Sequence, residues 1–271
     1  MQTNISNKKN LLIMKVVILA GGFGSRLSEE TINIPKPMVR IGSMPIIWHI
    51  MKNFSEQGFK EFIICLGYKS EVIKKFFIDY HTLNSDLTID LKRNDTIYHN
   101  SNLEDWKISL IDTGLNTLTG GRIKRIEEYV QDKPFMLTYG DGVSNVNLKK
   151  LIESHNKMKK TCTVTSVEPP GRFGILNVDA KGLVLSFDEK RSVGGSLING
   201  GFFVCEPTIF DLIEGDNTSF EFTTLKELAL QKQLNSCKHN GFWKPMDTLR
   251  DKNELNELWE SNSAPWKTWQ D

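Results

Sequence analysis

Lys15-Val16-Val17-Ile18-Leu19-Ala20-Gly21-Gly22-Phe23-Gly24-Ser25-Arg26-Leu27 is the stretch that decides the fold of this chain. Its first half is an uninterrupted apolar run rich in β-branched residues. That is the pattern of a strand covered on both faces, and such strands belong to parallel sheets flanked by helices. The second half turns at once into glycine. Three glycines within four residues let the backbone approach a ligand without Cβ interference and aim N–H groups at an anion. Arg26 adds a planar cation suited to phosphate oxygens. A P-loop would end in Gly-Lys-Ser/Thr, which is absent, and a dinucleotide fingerprint needs a small residue where Leu27 stands. The loop is therefore a phosphate-binding candidate of another kind, with a glycine-rich turn bearing a surface arginine as the alternative.

Outward from this stretch, helix and strand patterns alternate. Pro45 opens a helix over 46–57 that Gly58 stops. A strand at 61–66 and a helix at 71–80 follow, with Val72, Phe76 and Tyr80 on one face. Shorter strands are expected at 87–91 and 107–111, a short helix at 123–130, and a strand at 135–139 that runs into Gly140-Asp141-Gly142. Residues 148–158 form an amphipathic helix with Leu151, Ile152, His155 and Met158 inward. The second part is richer in β signals, at 161–167, 174–178, 183–187 and 198–205, before helices at 220–231 and 248–260. This order predicts an α/β fold with a doubly wound, mainly parallel, Rossmann-like sheet. Residues 1–13 read as a flexible N-terminal extension, and 14–271 as a single domain with parts at about 14–145 and 146–271. No linker, repeat or low-complexity tract interrupts it.

Composition excludes several functions. Lys plus Arg number 34 against 33 Asp plus Glu. Such a balance supplies no bulk field for nucleic acid or an anionic membrane, so an anion site must be local. No apolar run reaches the length of a membrane span. Cys65, Cys162, Cys205 and Cys237 contain no C-x-x-C pair and lie in or beside β-type runs, as buried free thiols of a cytoplasmic protein do. His49, His81, His99, His155 and His239 show no metal spacing, and His49 and His155 fall at helical core positions. No Gly-x-Ser-x-Gly elbow is present. The tryptophans do not interleave with a basic stripe, and the lysines around residues 149–160 read as a solvated helix face.

The second chemical signal is Pro35-Lys36-Pro37-Met38. Two prolines clamp a lysine in an extended segment, and a fixed ammonium is useful where charge builds on a phosphoryl group. Alone, the tripeptide would read as a rigid surface turn. Following the glycine loop so closely, Gly21-Gly22-x-Gly24-Ser25-Arg26-Leu27 with Pro35-Lys36-Pro37-Met38 resembles the signature of the sugar nucleotidylyltransferases. Ser25 stands where that family usually has Thr and keeps the hydroxyl. Asp112-Thr113-Gly114, Thr119-Gly120-Gly121-Arg122, Thr138-Tyr139-Gly140-Asp141-Gly142, Pro169 to Gly174, Ile198 to Phe202, Trp243 to Thr248 and the tail Ala264 to Trp269 fall in the order of the family's cytidylyl branch. The likeness runs from about residue 14 to the C-terminus.

The resemblance implies specific roles. The loop Leu19, Ala20, Gly21, Gly22, Phe23, Gly24 and Ser25 would wrap a nucleoside triphosphate, with Arg26 and Lys36 on its phosphates. Asp141 and Asp247 would hold Mg²⁺. Without the resemblance, Asp141 is a turn residue and Asp247 the N-cap of the helix near Thr248. Thr117, Gly121, Arg122 and Gly140 match nucleotide-contacting positions; Thr117 would otherwise be a loop hydroxyl and Arg122 a solvated arginine. Glu189, Lys190 and Asn199 match positions that hold a sugar phosphate, so the β-rich part would bind the sugar. There the chain departs from the family. Arg191 replaces the proline of Glu-Lys-Pro, and Thr223-Thr224 stands where relatives often carry Glu-Pro. The implied substrates are CTP and glucose 1-phosphate, the products CDP-glucose and pyrophosphate, and the implied setting is surface-polysaccharide (O-antigen) precursor synthesis. The resemblance also suggests a homo-oligomer whose aromatic tail lies on a neighbouring subunit. Another base or hexose, or a non-catalytic nucleotide-sugar-binding subunit on the same fold, remain as alternatives.

Overall fold

The computed structural model describes residues 14–100, 103–169, 175–179, 182–188 and 196–270. The expected extension 1–13 lies outside them, as do Glu189, Lys190, Arg191 and most of the Pro169 to Gly174 motif. Seven strands form the central sheet: β1 (Val16–Leu19), β2 (Glu61–Leu66), β3 (Lys107–Asp112), β4 (Phe135–Tyr139), β5 (Cys162–Val167), β6 (Ile198–Cys205) and β7 (Leu234–Lys238). Their spatial order is β7-β5-β6-β4-β1-β2-β3. β1 pairs in parallel with β2 and β4, β2 with β3, and β5 with β7. Only β6 runs against its neighbours, so the sheet is mainly parallel, as the apolar run of β1 predicts.

Period-two alternation in β1 builds two cores. Val16 and Ile18 face one side with helices α1 (Ile46–Glu56) and α4 (Leu148–Met158), through Ile46, Ile50, Phe54, Leu148 and Ile152. Val17 and Leu19 face the other, with Ile123, Val130, Ile209 and Phe210. Both faces are covered, which is the doubly wound arrangement. The other α-helices longer than four residues among the described residues are α2 (Ser70–Ile78), α3 (Thr119–Lys124), α5 (Leu225–Leu230) and α6 (Leu249–Glu260).

Several local expectations need correction. The helix expected at 123–130 is two, α3 and a turn at Glu127–Val130. The one expected at 220–231 begins as a π-helical turn, Phe220–Thr224, before α5. Met158 is 47 % exposed although it lies on the inward stripe, because α4 ends there at the left-handed Lys159. Strand β7 has too polar a sequence, Leu-Asn-Ser-Cys-Lys, to register as a strand; it is a sheet edge with Ser236 and Lys238 exposed and Leu234, Asn235 and Cys237 half-buried. The aromatic tail packs on its own chain. Trp266 is fully buried and Trp269 nearly so, with ring centroids 5.7 Å apart for Trp48 and Trp269 and 6.3 Å for Trp259 and Trp266. The cysteines are free thiols, three of them buried.

His49 sits under that tail and is fully buried. Its Nε2 lies 2.9 Å from the Ile41 carbonyl, and Trp266 Nε1 points at its Nδ1 from 3.5 Å. A neutral ring with its proton on Nε2 satisfies both. Burial lowers its pKa from 6.5 to about 4. Between those values the unfolded chain takes up a proton that the folded chain does not. Stability is therefore full above pH 6.5 and falls as pH drops toward 4, by about 3 kcal/mol. Urea unfolding at pH 7 and pH 4.5 should show this loss, and His49→Gln should lose less of its own stability over the same interval; equal losses in both proteins would refute the assignment.

Candidate active site

The strand order turns back at β1. The chain moves from β1 outward through β2 to β3, then returns to place β4 on the other side of β1. In open α/β sheets the crevice beyond the C-terminal strand ends at such a reversal is where ligands bind. The glycine loop leaves β1 there and Gly140-Asp141 leaves β4. The Gly140 N–H donates to the Leu19 carbonyl at 3.0 Å, tying the two ends together.

Two loop glycines are required by geometry. Gly24 has φ +66°, in the left-handed region. A Cβ on Gly21 would lie 2.1 Å from Arg122 Nη1. Gly22, Phe23, Ser25 and Arg26 are exposed around the cleft, as a ligand-wrapping loop requires. A single turn, Lys36–Met38, begins after the extended Pro35 and is closed by Met38 N–H to Pro35 O at 2.8 Å. It holds Lys36 nearly buried.

Lys36 Nζ lies 2.7 Å from Asp141 Oδ2 and 2.7 Å from Asp247 Oδ1. Arg26 Nη1 lies 2.6 Å from Asp247 Oδ2. Four side chains that the sequence spreads over more than two hundred residues thus close into one network. A two-stranded ladder explains the meeting of the carboxylates. Gly142–Ser144 pairs antiparallel with Trp243–Pro245, and Met246 N–H donates to the Asp141 carbonyl at 2.8 Å. Asp247 is free for this because it is not the cap of α6. Thr248 is, in a capping box with Asp251.

Thr117 is buried beside Gly114 and Gly121. Arg122 is not the solvated side chain of the alternative reading. Its guanidinium is buried beneath Gly21 and donates to Leu66 O, Thr113 Oγ1, Gly114 O and Leu115 O at 2.7–3.1 Å. It shapes the floor under the loop rather than presenting a free cation to the cleft. Asn199 Nδ2 donates to the Tyr139 hydroxyl at 3.3 Å, which donates to Glu221 Oε1 at 2.7 Å. Thr119 Oγ1 donates to the other Glu221 oxygen at 2.6 Å. Burial, then the Glu221 charge, raise the Tyr139 pKa well above its ordinary value. Tyr139 and Glu221, which hydrogen-bond to the candidate residue Asn199 and to Thr119, were not singled out from the sequence. Tyr139 is flagged only by preceding Gly140-Asp141, and Glu221 by no local pattern.

Two carboxylates brought to one cation are a donor set that suits Mg²⁺, which takes one or two protein carboxylates and completes its shell with phosphate oxygens and water. Among the described residues no group of three or more His, Cys, Asp or Glu could hold a metal by itself.

Fold and site together define a nucleotide-transferring enzyme class: residues 15–266 match the nucleotidyl transferase family, and the chain belongs to it. Within that family it is 52 % identical over 258 residues to the glucose-1-phosphate cytidylyltransferase of Salmonella typhi, covering 95 % of this chain and 100 % of that one. It is 44 % identical to the probable glucose-1-phosphate cytidylyltransferase of Bacillus subtilis, covering 94 % of this chain and 100 % of the other. Among solved structures, HddC from Yersinia pseudotuberculosis superposes with a TM-score of 0.66 at 26 % identity, over 91 % of this chain and 100 % of that one. Among the described residues no helix is long and apolar enough to cross a membrane.

Proposed function

We propose that this protein transfers CMP from CTP to α-D-glucose 1-phosphate, giving CDP-glucose and pyrophosphate, with Mg²⁺ held by Asp141 and Asp247. The observation that carries the reading is the convergence of Arg26, Lys36, Asp141 and Asp247 at the switch point of the sheet. The names of the two cytidylyltransferase relatives support the choice of base and sugar.

A sugar phosphate oxygen attacks the α-phosphorus in line and pyrophosphate leaves. No general base is needed, because a phosphate monoester is already ionised near neutral pH. What the reaction needs is two polyanions held close, and that is work for cations and N–H donors. When bound, the divalent ion neutralises charge on the reacting and leaving phosphates. Arg26, mostly exposed on its side chain, swings to the β- and γ-phosphates. Lys36, nearly buried, serves the α-phosphate and incoming sugar phosphate. The glycine loop donates N–H groups. Backbone and hydroxyl groups from Thr117 to Gly121 read the base. Asn199, with Tyr139 and Glu221 behind it, serves the sugar side.

Pyrophosphate release with glucose 1-phosphate should be fastest with CTP when CTP, UTP, dTTP and GTP are compared. Faster turnover with UTP or dTTP would reject the cytidylyl assignment. Binding of all four without pyrophosphate would favour the non-catalytic subunit. The protein works in the cytoplasm and as a homo-oligomer. The hairpin Asp86–Asp90 with Asp95–His99, whose register puts the exposed Ile89 and Tyr98 on one face, supplies a surface for that contact. Sedimentation of a monomer at micromolar concentration would contradict this.

A further inference from the structure

The most constrained charged group in the cleft is Lys36, and it lies against the two carboxylates proposed for the metal. Both Asp141 Oδ2 and Asp247 Oδ1 are 2.7 Å from the same Nζ, and the Lys36 side chain is only 8 % exposed. The other Asp247 oxygen is taken by Arg26 at 2.6 Å. Two acidic and two basic groups cancel, so the network presents no net negative charge to a dication. An ion approaching these oxygens must also displace or face an ammonium that Pro35 and Pro37 hold in place.

We propose that Lys36 is an internal counter-ion that keeps divalent metal off Asp141 and Asp247 until a nucleoside triphosphate arrives, so that metal binds only together with nucleotide. The triphosphate supplies the missing step. Its oxygens draw Arg26 and Lys36 away from the carboxylates, and the freed carboxylate oxygens and the phosphates then offer a shared hard-oxygen shell. The benefit is specificity: two carboxylates left bare would bind metal uselessly and lose the lysine's contribution at the α-phosphate. This inference rests on the metal role proposed for Asp141 and Asp247.

Manganese(II) titrations followed by electron paramagnetic resonance test it without turnover. Nucleotide-free wild-type protein should bind Mn²⁺ weakly, and a non-hydrolysable CTP analogue should create a tight protein-bound signal. Lys36→Gln should gain nucleotide-free Mn²⁺ affinity by at least about tenfold, since it removes one nearby positive charge. Lys36→Arg should keep the exclusion. Tight Mn²⁺ binding to nucleotide-free wild type overturns the proposal with no variant needed, as does a Lys36→Gln protein, folded by circular dichroism, that gains nothing. In both cases a bound-Mn²⁺ signal with the CTP analogue leaves the metal role of the carboxylates standing. If Asp141→Asn and Asp247→Asn leave that signal unchanged, the metal role itself fails and this inference with it.

Discussion

Asp141→Asn is expected to lower turnover by about 10³-fold or more while leaving the protein folded. The substitution keeps the shape of the side chain and removes one negative charge from the cleft. Lys36 retains Asp247 at 2.7 Å, so no buried cation is stranded. The backbone contact from Met246 N–H to the Asp141 carbonyl does not involve the side chain and persists. Asp141 lies at the cleft, 31 % exposed on its side chain, rather than in either core, so the loss should appear in kcat and not in the melting temperature. Pyrophosphate release and a thermal melt on the same preparation separate the two. Activity within threefold of wild type would remove Asp141 from the chemistry. A matching collapse of stability would reassign it to the fold.

What could be read from the sequence was what lies close together along the chain. β1 and its glycine loop are contiguous, and so are Pro35-Lys36-Pro37 and the strand that ends in Gly140-Asp141-Gly142. Each is a short apolar or proline pattern followed at once by its chemistry, so strand ends and cleft residues were legible together. Asp247 was legible only through resemblance. By local pattern it is the cap of α6, and only the ladder between Gly142–Ser144 and Trp243–Pro245 brings it to Asp141. Glu221 was missed for a similar reason. A π-helical turn delivers it to Tyr139, and one extra residue in a helical turn leaves no clear periodic signature. The antiparallel β6 and the polar edge β7 were also beyond pattern reading, because strand direction and edge position are set by tertiary pairing rather than by the strand's own residues.

Arg122 is the residue whose role changed most, and it carries the second large expected effect. The resemblance matched it to a nucleotide-contacting position, with a solvated helix-start arginine as the alternative. The structure buries it to 4 % exposure, with Nη1 shared among Leu66 O, Thr113 Oγ1 and Gly114 O and Nη2 on Leu115 O. Those acceptors are the last residue of β2, Leu66, and the segment after β3, and Gly21 lies directly over the guanidinium. One planar fork therefore ties together the ends of β2 and β3 beneath the nucleotide loop. Arg122→Met fills much of the volume but leaves the part-buried Gly114 and Leu115 carbonyls without a protein donor, while Leu66 O still accepts from the Thr113 N–H and hydroxyl, at a cost of about 2–4 kcal/mol. A chain of this length should lose roughly ten degrees in melting temperature. Lys in the same place restores a charge and some donors but not the fork, so Arg122→Lys should fall between the two. Because the same acceptors set the floor of the loop, affinity for a CTP analogue should drop in both variants in the same order as stability. An Arg122→Met protein that melts within two degrees or so of wild type would show that these acceptors find other partners. Unchanged affinity in a destabilised variant would instead confine Arg122 to the fold, detached from the shape of the nucleotide site.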